Sequence, residues 1–138
     1  MLHELEQSQL ISQAEKPKRT IAQNTLNRIE QTYARAKPDS LRVKVLKHYV
    51  EYLDAVCAYD AVPDSAPHEV FEEASQRKYN IELFIDQQKG DTAYADRFDK
   101  TAKMAEKLTD AYIREGAVSQ SDAFLKSVEQ YRRISGQF

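Results

Sequence analysis

The chain has 138 residues, 41% of them hydrophobic and 30% charged, with three Gly, four Pro, one Cys and a formal net charge of −2. A chain of this length buries roughly two-thirds of its unfolded surface, so one domain can fold without disulfides or a structural metal. The composition excludes a wholly disordered chain, and the scarcity of Gly and Pro beside plentiful Glu, Gln, Lys, Arg, Ala and Leu predicts helices and no sheet.

Residues 1–16 carry a short amphipathic pattern, Leu2, Leu5, Leu10 and Ile11, diluted by Gln, Ser and Glu. Pro17 restricts Lys16 and interrupts any helix arriving from the left, so 1–16 reads as a short helix or arm before a single helical-bundle domain over 17–138. The first residues hold acids where a secretory leader needs basic residues, and no window approaches 18 apolar residues. A lone cysteine forms no internal bridge, in keeping with a reducing compartment. A soluble, cytoplasmic protein with no membrane contact is expected.

From Thr20 the pattern is helical, with Ala22, Leu26, Ile29, Tyr33 and Ala36 on one face until Pro38 ends the run. Asp39 or Ser40 then suits the next N-cap. Residues 40–61, SLRVKVLKHYVEYLDAVCAYDA, have the densest apolar patterning in the chain. Val43, Leu46, Val50, Leu53 and Cys57 form one helical stripe, widened by Val45, Tyr49, Tyr52, Val56 and Tyr59. The apolar arc reaches roughly 160°, against roughly 100° for a surface helix. Such a helix needs neighbours on two or three sides and belongs in the middle of a bundle.

VPDSAP (62–67) reads as a turn, with Asp64 or Ser65 as cap and Pro67 in the first turn of a third long helix. Val70, Phe71, Ala74, Ile81, Phe84 and Ile85 are expected to form its buried face, and Gly90 to stop it. Asp91 caps a fourth helix that buries Tyr94, Phe98, Ala105, Leu108 and Tyr112 and ends at Gly116. Ser119 and Asp122 resemble a capping box before a last helix carrying Phe124, Leu125, Val128, Tyr131 and Ile134. Short connections between long helices give an all-α, up-and-down antiparallel bundle of four to five helices.

Signatures of chemistry fail one by one. His68-Glu69 opens like a zinc-protease motif, but Glu72 stands where the second histidine belongs. No Glu-x-x-His pair precedes His48 or His68, so a di-iron bundle is excluded. His48 lies opposite the apolar stripe and is expected to be solvated, while Cys57 reads as a buried structural thiol. The glycines at 90, 116 and 136 stand too far apart to cradle a phosphate. No catalytic residue, metal site or cofactor is expected, and the chain reads as non-enzymatic.

The charge is strongly segregated. Residues 16–48 hold nine Lys or Arg against two acids, a balance of +7, and residues 49–99 hold twelve acids against four bases, a balance of −8. The two parts can complement one another within the bundle or between copies in a homo-oligomer. Alternatively, Lys16, Lys18, Arg19, Arg28, Arg35, Lys37, Arg42 and Lys44 track a phosphate backbone. TIAQNTLNRI could pass for a recognition helix, but Pro17 breaks the helix that should precede it. In the third alternative, acidic Glu69, Glu72 and Glu73 join Tyr52 and Tyr59 in contacting a protein partner. The expected function is binding of another macromolecule by a bundle acting as adaptor, inhibitor or accessory subunit. A protein partner stands first, and nucleic acid through 16–48 is the alternative.

Overall fold

Short polar side chains set where most of the helices begin. The structure, a computed structural model, describes residues 21–116 and 119–138, and among these it contains five helices and no strand. Helix α1 covers residues 21–33, α2 Leu41–Asp60, α3 His68–Gln88, α4 Thr92–Arg114 and α5 Gln120–Ser135. The Ser40 hydroxyl oxygen accepts from the Val43 amide at 3.4 Å, and Asp91 accepts from Ala93 N–H at 2.9 Å. Ser119 accepts from the Asp122 amide at 3.0 Å, one half of the capping box. Each cap satisfies an amide that the first turn of its helix leaves unpaired.

Two boundaries differ from the sequence expectation. Pro67 itself is the N-cap of α3, with no side-chain cap, because the preceding residues close a turn of their own through Ala66 N–H and Pro63 C=O at 3.0 Å. Helix α1 ends at residue 33, short of Pro38, and the chain tightens there as Ala36 N–H bonds to Tyr33 C=O at 3.1 Å. Proline disfavours a helical conformation at Lys37, and the chain must reverse into α2 within that connection. After α4, Gly116 adopts φ +92°, a left-handed conformation that glycine reaches without steric cost.

Helix α2 packs against α3, α4 and α5, and α4 also packs against α5. The broad apolar arc read from the sequence is therefore used on three sides, in an up-and-down antiparallel bundle. The core joins Leu26, Ile29 and Tyr33 of α1 to Val45, Leu46, Tyr49, Val50 and Leu53 of α2. From the other side come Phe98 and Leu108 of α4 and Val128, Tyr131 and Ile134 of α5. Each large aliphatic side chain fully buried contributes about 1.5–3 kcal/mol. Among the described residues, no helix is long and apolar enough to cross a membrane.

Helix α3 departs most from expectation. Only Ile85 is buried, while Val70, Phe71 and Phe84 are exposed and Ala74 and Ile81 half-buried. The cause is geometric: among helices α2 to α5, α3 packs substantially against α2 alone, and Ile85 lies on that contact. In α5, Leu125 is exposed, and Ala123 and Ser127 take the buried positions. The Ser127 hydroxyl is tolerated there because it bonds to Ala123 C=O at 3.2 Å and lies 2.8 Å from the Thr109 hydroxyl. Cys57 is half-buried, not fully enclosed, because it lies on the last turns of α2.

Truncating fully buried Leu46 to Ala should cost about 2–5 kcal/mol in urea unfolding, since the void left behind collapses only partly. Leu53→Asp should abolish the cooperative transition by placing an unpaired charge on the packed side of α2. In native-state hydrogen exchange, the α3 amides should lose protection before those of α2, because α3 has the fewest buried contacts. Equal protection in the two helices would contradict the one-sided packing of α3.

Candidate functional site

The divergence of α3 and α4 leaves a concavity beside α2. Both helices rest on α2, and the turn at residues 89–91 joins them at one end. Between them, Tyr49, Tyr52, Leu53 and Val56 of α2 form a floor. Ile85 of α3, Phe98 and Ala102 of α4 and Phe124 of α5 form apolar walls around a hollow of about 500 Å³. A second hollow of about 860 Å³, between α2, α4 and α5 with no α3 residue in its lining, shares Tyr49, Leu53, Val56, Glu106 and Phe124 with the first and reaches Asp60, Asp110 and Ile113. Along the rim stand Asp60, Glu82, Asp86, Glu106 and Asp110, with Lys89 the one cation lining either hollow. Lys89 Nζ lies over the Phe98 ring, 4.4 Å from its centroid, close to the joining turn. An apolar floor edged by carboxylates suits a ligand that is apolar on one face and cationic around it.

The residues singled out for protein contact fall in two places. Tyr52 is half-buried in the groove floor, its ring 6.2 Å from that of Tyr49. Tyr59 is taken up between α2 and α3, its ring 5.4 Å from Phe71 and under Lys78 Nζ at 4.7 Å. Glu69, Glu72 and Glu73 are exposed, and with Phe71, Gln76 and Tyr79 they frame an open depression on the first turns of α3. Glu72 also receives His68 Nε2 at 2.9 Å. The depression shares no residue with the groove that Tyr52 lines.

Of the residues expected to follow a phosphate backbone, Arg28, Arg35, Lys37, Arg42 and Lys44 are exposed on α1, its following connection and the start of α2. Arg42 donates to Thr32 C=O at 3.2 Å. Lys16, Lys18 and Arg19, together with the 1–16 arm, lie outside the described residues. The sequence reading missed a second set of cations. Arg97, Lys100, Lys103 and Lys107 line one side of a cleft of about 310 Å³, with Ile29, Thr32 and Tyr33 of α1 opposite. Their spacing of three and four residues marks a helical stripe, but it sits in a segment with little net charge. Lys100 and Lys103 are paired along the helix with Asp96 and Asp99.

Ion pairs between helices link Arg133 to Glu30 and Arg132 to Asp54. Among the described residues none joins the basic segment to the acidic one. Internal complementarity of the two segments therefore does not operate through direct pairs there.

His48, expected to face solvent, is half-buried where α2, α3 and α4 meet. Its Nδ1 lies 2.8 Å from the hydroxyl of buried Tyr94, and the edge of its ring meets Phe84 at 4.9 Å between centroids. The stripe on α2 could not reveal this partner, which stands 46 residues away. Burial pushes the His48 pKa down, opposed by the charge of Glu51 and aided by that of Lys44. Burial likewise pushes up the Tyr49 and Tyr131 hydroxyls and the Cys57 thiol. No group of three or more His, Cys, Asp or Glu among the described residues is arranged to hold a metal ion. Compared with family models, curated proteins and solved structures, the chain matches none.

The lowered His48 pKa has a definite sign for stability. As pH falls below the ordinary value of about 6.5, the unfolded chain takes up the proton first. The contribution of neutral His48 is thus complete above about pH 6.5 and is lost as pH falls through the lower folded-state value. An NMR titration should give His48 a pKa below about 6.5, and His48→Gln should flatten the loss of Tm as pH falls below about 6.5. A His48 pKa above the ordinary value would contradict the burial.

Proposed function

We propose that this protein is a non-enzymatic helical bundle that works by binding another protein, as an adaptor, inhibitor or accessory subunit. The observation that carries this reading is the one-sided packing of α3. Of the nine large hydrophobic side chains exposed among the described residues, five lie on this helix: Val70, Phe71, Tyr79, Leu83 and Phe84. Single exposed apolar residues need no explanation, but a concentration on one element is the mark of a contact surface. Charge supplies the partner's chemistry, because α3 carries five acids against Arg77 and Lys78. A partner with a basic rim around apolar anchors would complete the burial of α3 and be steered to it electrostatically.

Nucleic-acid binding is the second reading. It is favoured by the cleft where Arg97, Lys100, Lys103 and Lys107 face α1, adding to exposed Arg28 on that helix and Arg35 in the connection after it.

A pulldown with the tagged chain from lysate of its own source, with and without nuclease, tests the two. The protein-binding reading expects a stoichiometric protein that survives nuclease and is lost from the Tyr79→Glu/Leu83→Glu variant, whose substitutions are exposed and should leave the circular dichroism unchanged. Recovery of nucleic acid, with all protein lost on nuclease treatment, would overturn it in favour of the second reading. In that case Arg28→Glu/Arg35→Glu should abolish binding and the affinity should fall steeply with salt.

A further inference from the structure

The groove along α2, walled by α3 and α4 in its first part and by α4 and α5 in its second, goes further than the general reading, and says what shape of partner fits. Resting on the protein-binding reading above, we propose that this groove receives a basic amphipathic α-helix of the partner, laid along α2 as an additional helix of the bundle. Three features carry the proposal.

The first is the length and continuity of the apolar floor. The two hollows share five residues and together follow α2 and α4 from Phe98 to Ile113, with α3 walling the first and α5 the second. At 1.5 Å per residue this is roughly 22 Å, or about 15 residues of a helix laid alongside. The second is the charge of the rim, five carboxylates against Lys89. Covering these groups with a neutral or acidic segment would strip them of water without replacement partners, whereas Lys or Arg flanking an apolar stripe supplies the partners.

The third is the backbone. The walls are helices whose amides and carbonyls bond within their own elements, and no strand edge exists among the described residues. An extended peptide would find nothing to pair with its main chain, but a helix satisfies its own and presents only side chains. Apolar residues at i, i+3, i+4 and i+7 would meet Tyr52, Val56 and Phe98, with basic residues on either flank reaching Glu82 and Asp86 on one wall and Glu106 on the other.

The test uses the full chain and a synthetic amphipathic peptide of about 15 residues, with Leu at helical spacing on one face and Lys elsewhere. One control scrambles the Leu positions at constant composition, and a second replaces every Lys with Glu. The striped Lys peptide should bind about tenfold more tightly than either control, and its amide shift changes should fall on α2 between Tyr49 and Asp60 and on the facing turns of α3 and α4. Glu82→Lys/Asp86→Lys/Glu106→Lys should weaken binding about tenfold while the helical content is kept. The shift map is made on the unmodified chain, so it decides the matter even if that variant fails to fold.

Equal affinity for the scrambled peptide would reduce the effect to general charge attraction and overturn the proposal. So would shift changes outside the groove, or concentration-dependent shifts within it when no peptide is present, which would make a second copy of the chain the occupant. A lysate partner retained by the rim-reversed variant but lost from Tyr79→Glu/Leu83→Glu overturns the groove alone. Absence of any protein partner for the unmodified chain overturns the reading beneath it.

Discussion

The fold depends on burying one helix from three directions. With apolar side chains over roughly 160° of its circumference, α2 cannot lie on a surface without leaving a large hydrophobic area in water, and α3, α4 and α5 each cover part of it. Tyr49 sits where α4 and α5 meet α2. Its ring meets Phe98 and Tyr131 edge to face, at 5.5 and 5.7 Å between centroids, and also approaches Tyr52. The buried rings keep polar partners: the Tyr131 hydroxyl donates to Thr101 C=O, and Tyr94 pairs with His48. Tyrosine thus fills the wide gaps of the core and fixes helix positions through its hydroxyl, a combination unavailable to leucine.

The same constraint leaves the groove open. A helix with neighbours on three sides holds them around its own circumference, and neighbours that do not also pack on each other leave clefts between them. Helices α4 and α5 close on one another as well as on α2, whereas among these four helices α3 packs substantially on α2 alone. The cleft beside α3 is therefore a consequence of an uneven distribution of contacts. Its floor joins buried Tyr49 and Leu53 to Tyr52 and Val56, the part of the α2 arc left half-buried there.

What the sequence reveals and what it hides follow from how far apart the deciding residues are. Helix starts at Ser40, Asp91 and Ser119 are legible because a cap and its amide lie two or three residues apart. The central place of α2 is legible because an arc too wide for a surface is a property of one segment. The burial of α3 is not, since Val70, Phe71 and Phe84 keep helical spacing whether they face a core or water. Tyr52 could be placed at the edge of its stripe, but the acidic rim assembles from α2, α3 and α4 and exists only after folding. The charge imbalance was visible in the sequence, yet Arg97, Lys100, Lys103 and Lys107 extend the basic side from a segment whose own total hides them.

Magnitudes indicate what the charge is for. Exposed ion pairs along a helix contribute a few tenths of a kcal/mol, and among the described residues no direct pair joins the basic and acidic segments. Segregation on this scale adds little to the stability of the fold, and like charges gathered on one side slightly oppose it. The field it sets up extends outside the molecule, where, on the protein-binding reading proposed above, an approaching partner would meet it. Helix α3 combines that field with a single buried side chain, Ile85, so on the proposed reading the element that would attract a partner is also one that a partner would stabilise. Any ligand that binds the folded α3 and not its open form raises its protection in proportion to occupancy, which couples recognition to the order of this one helix.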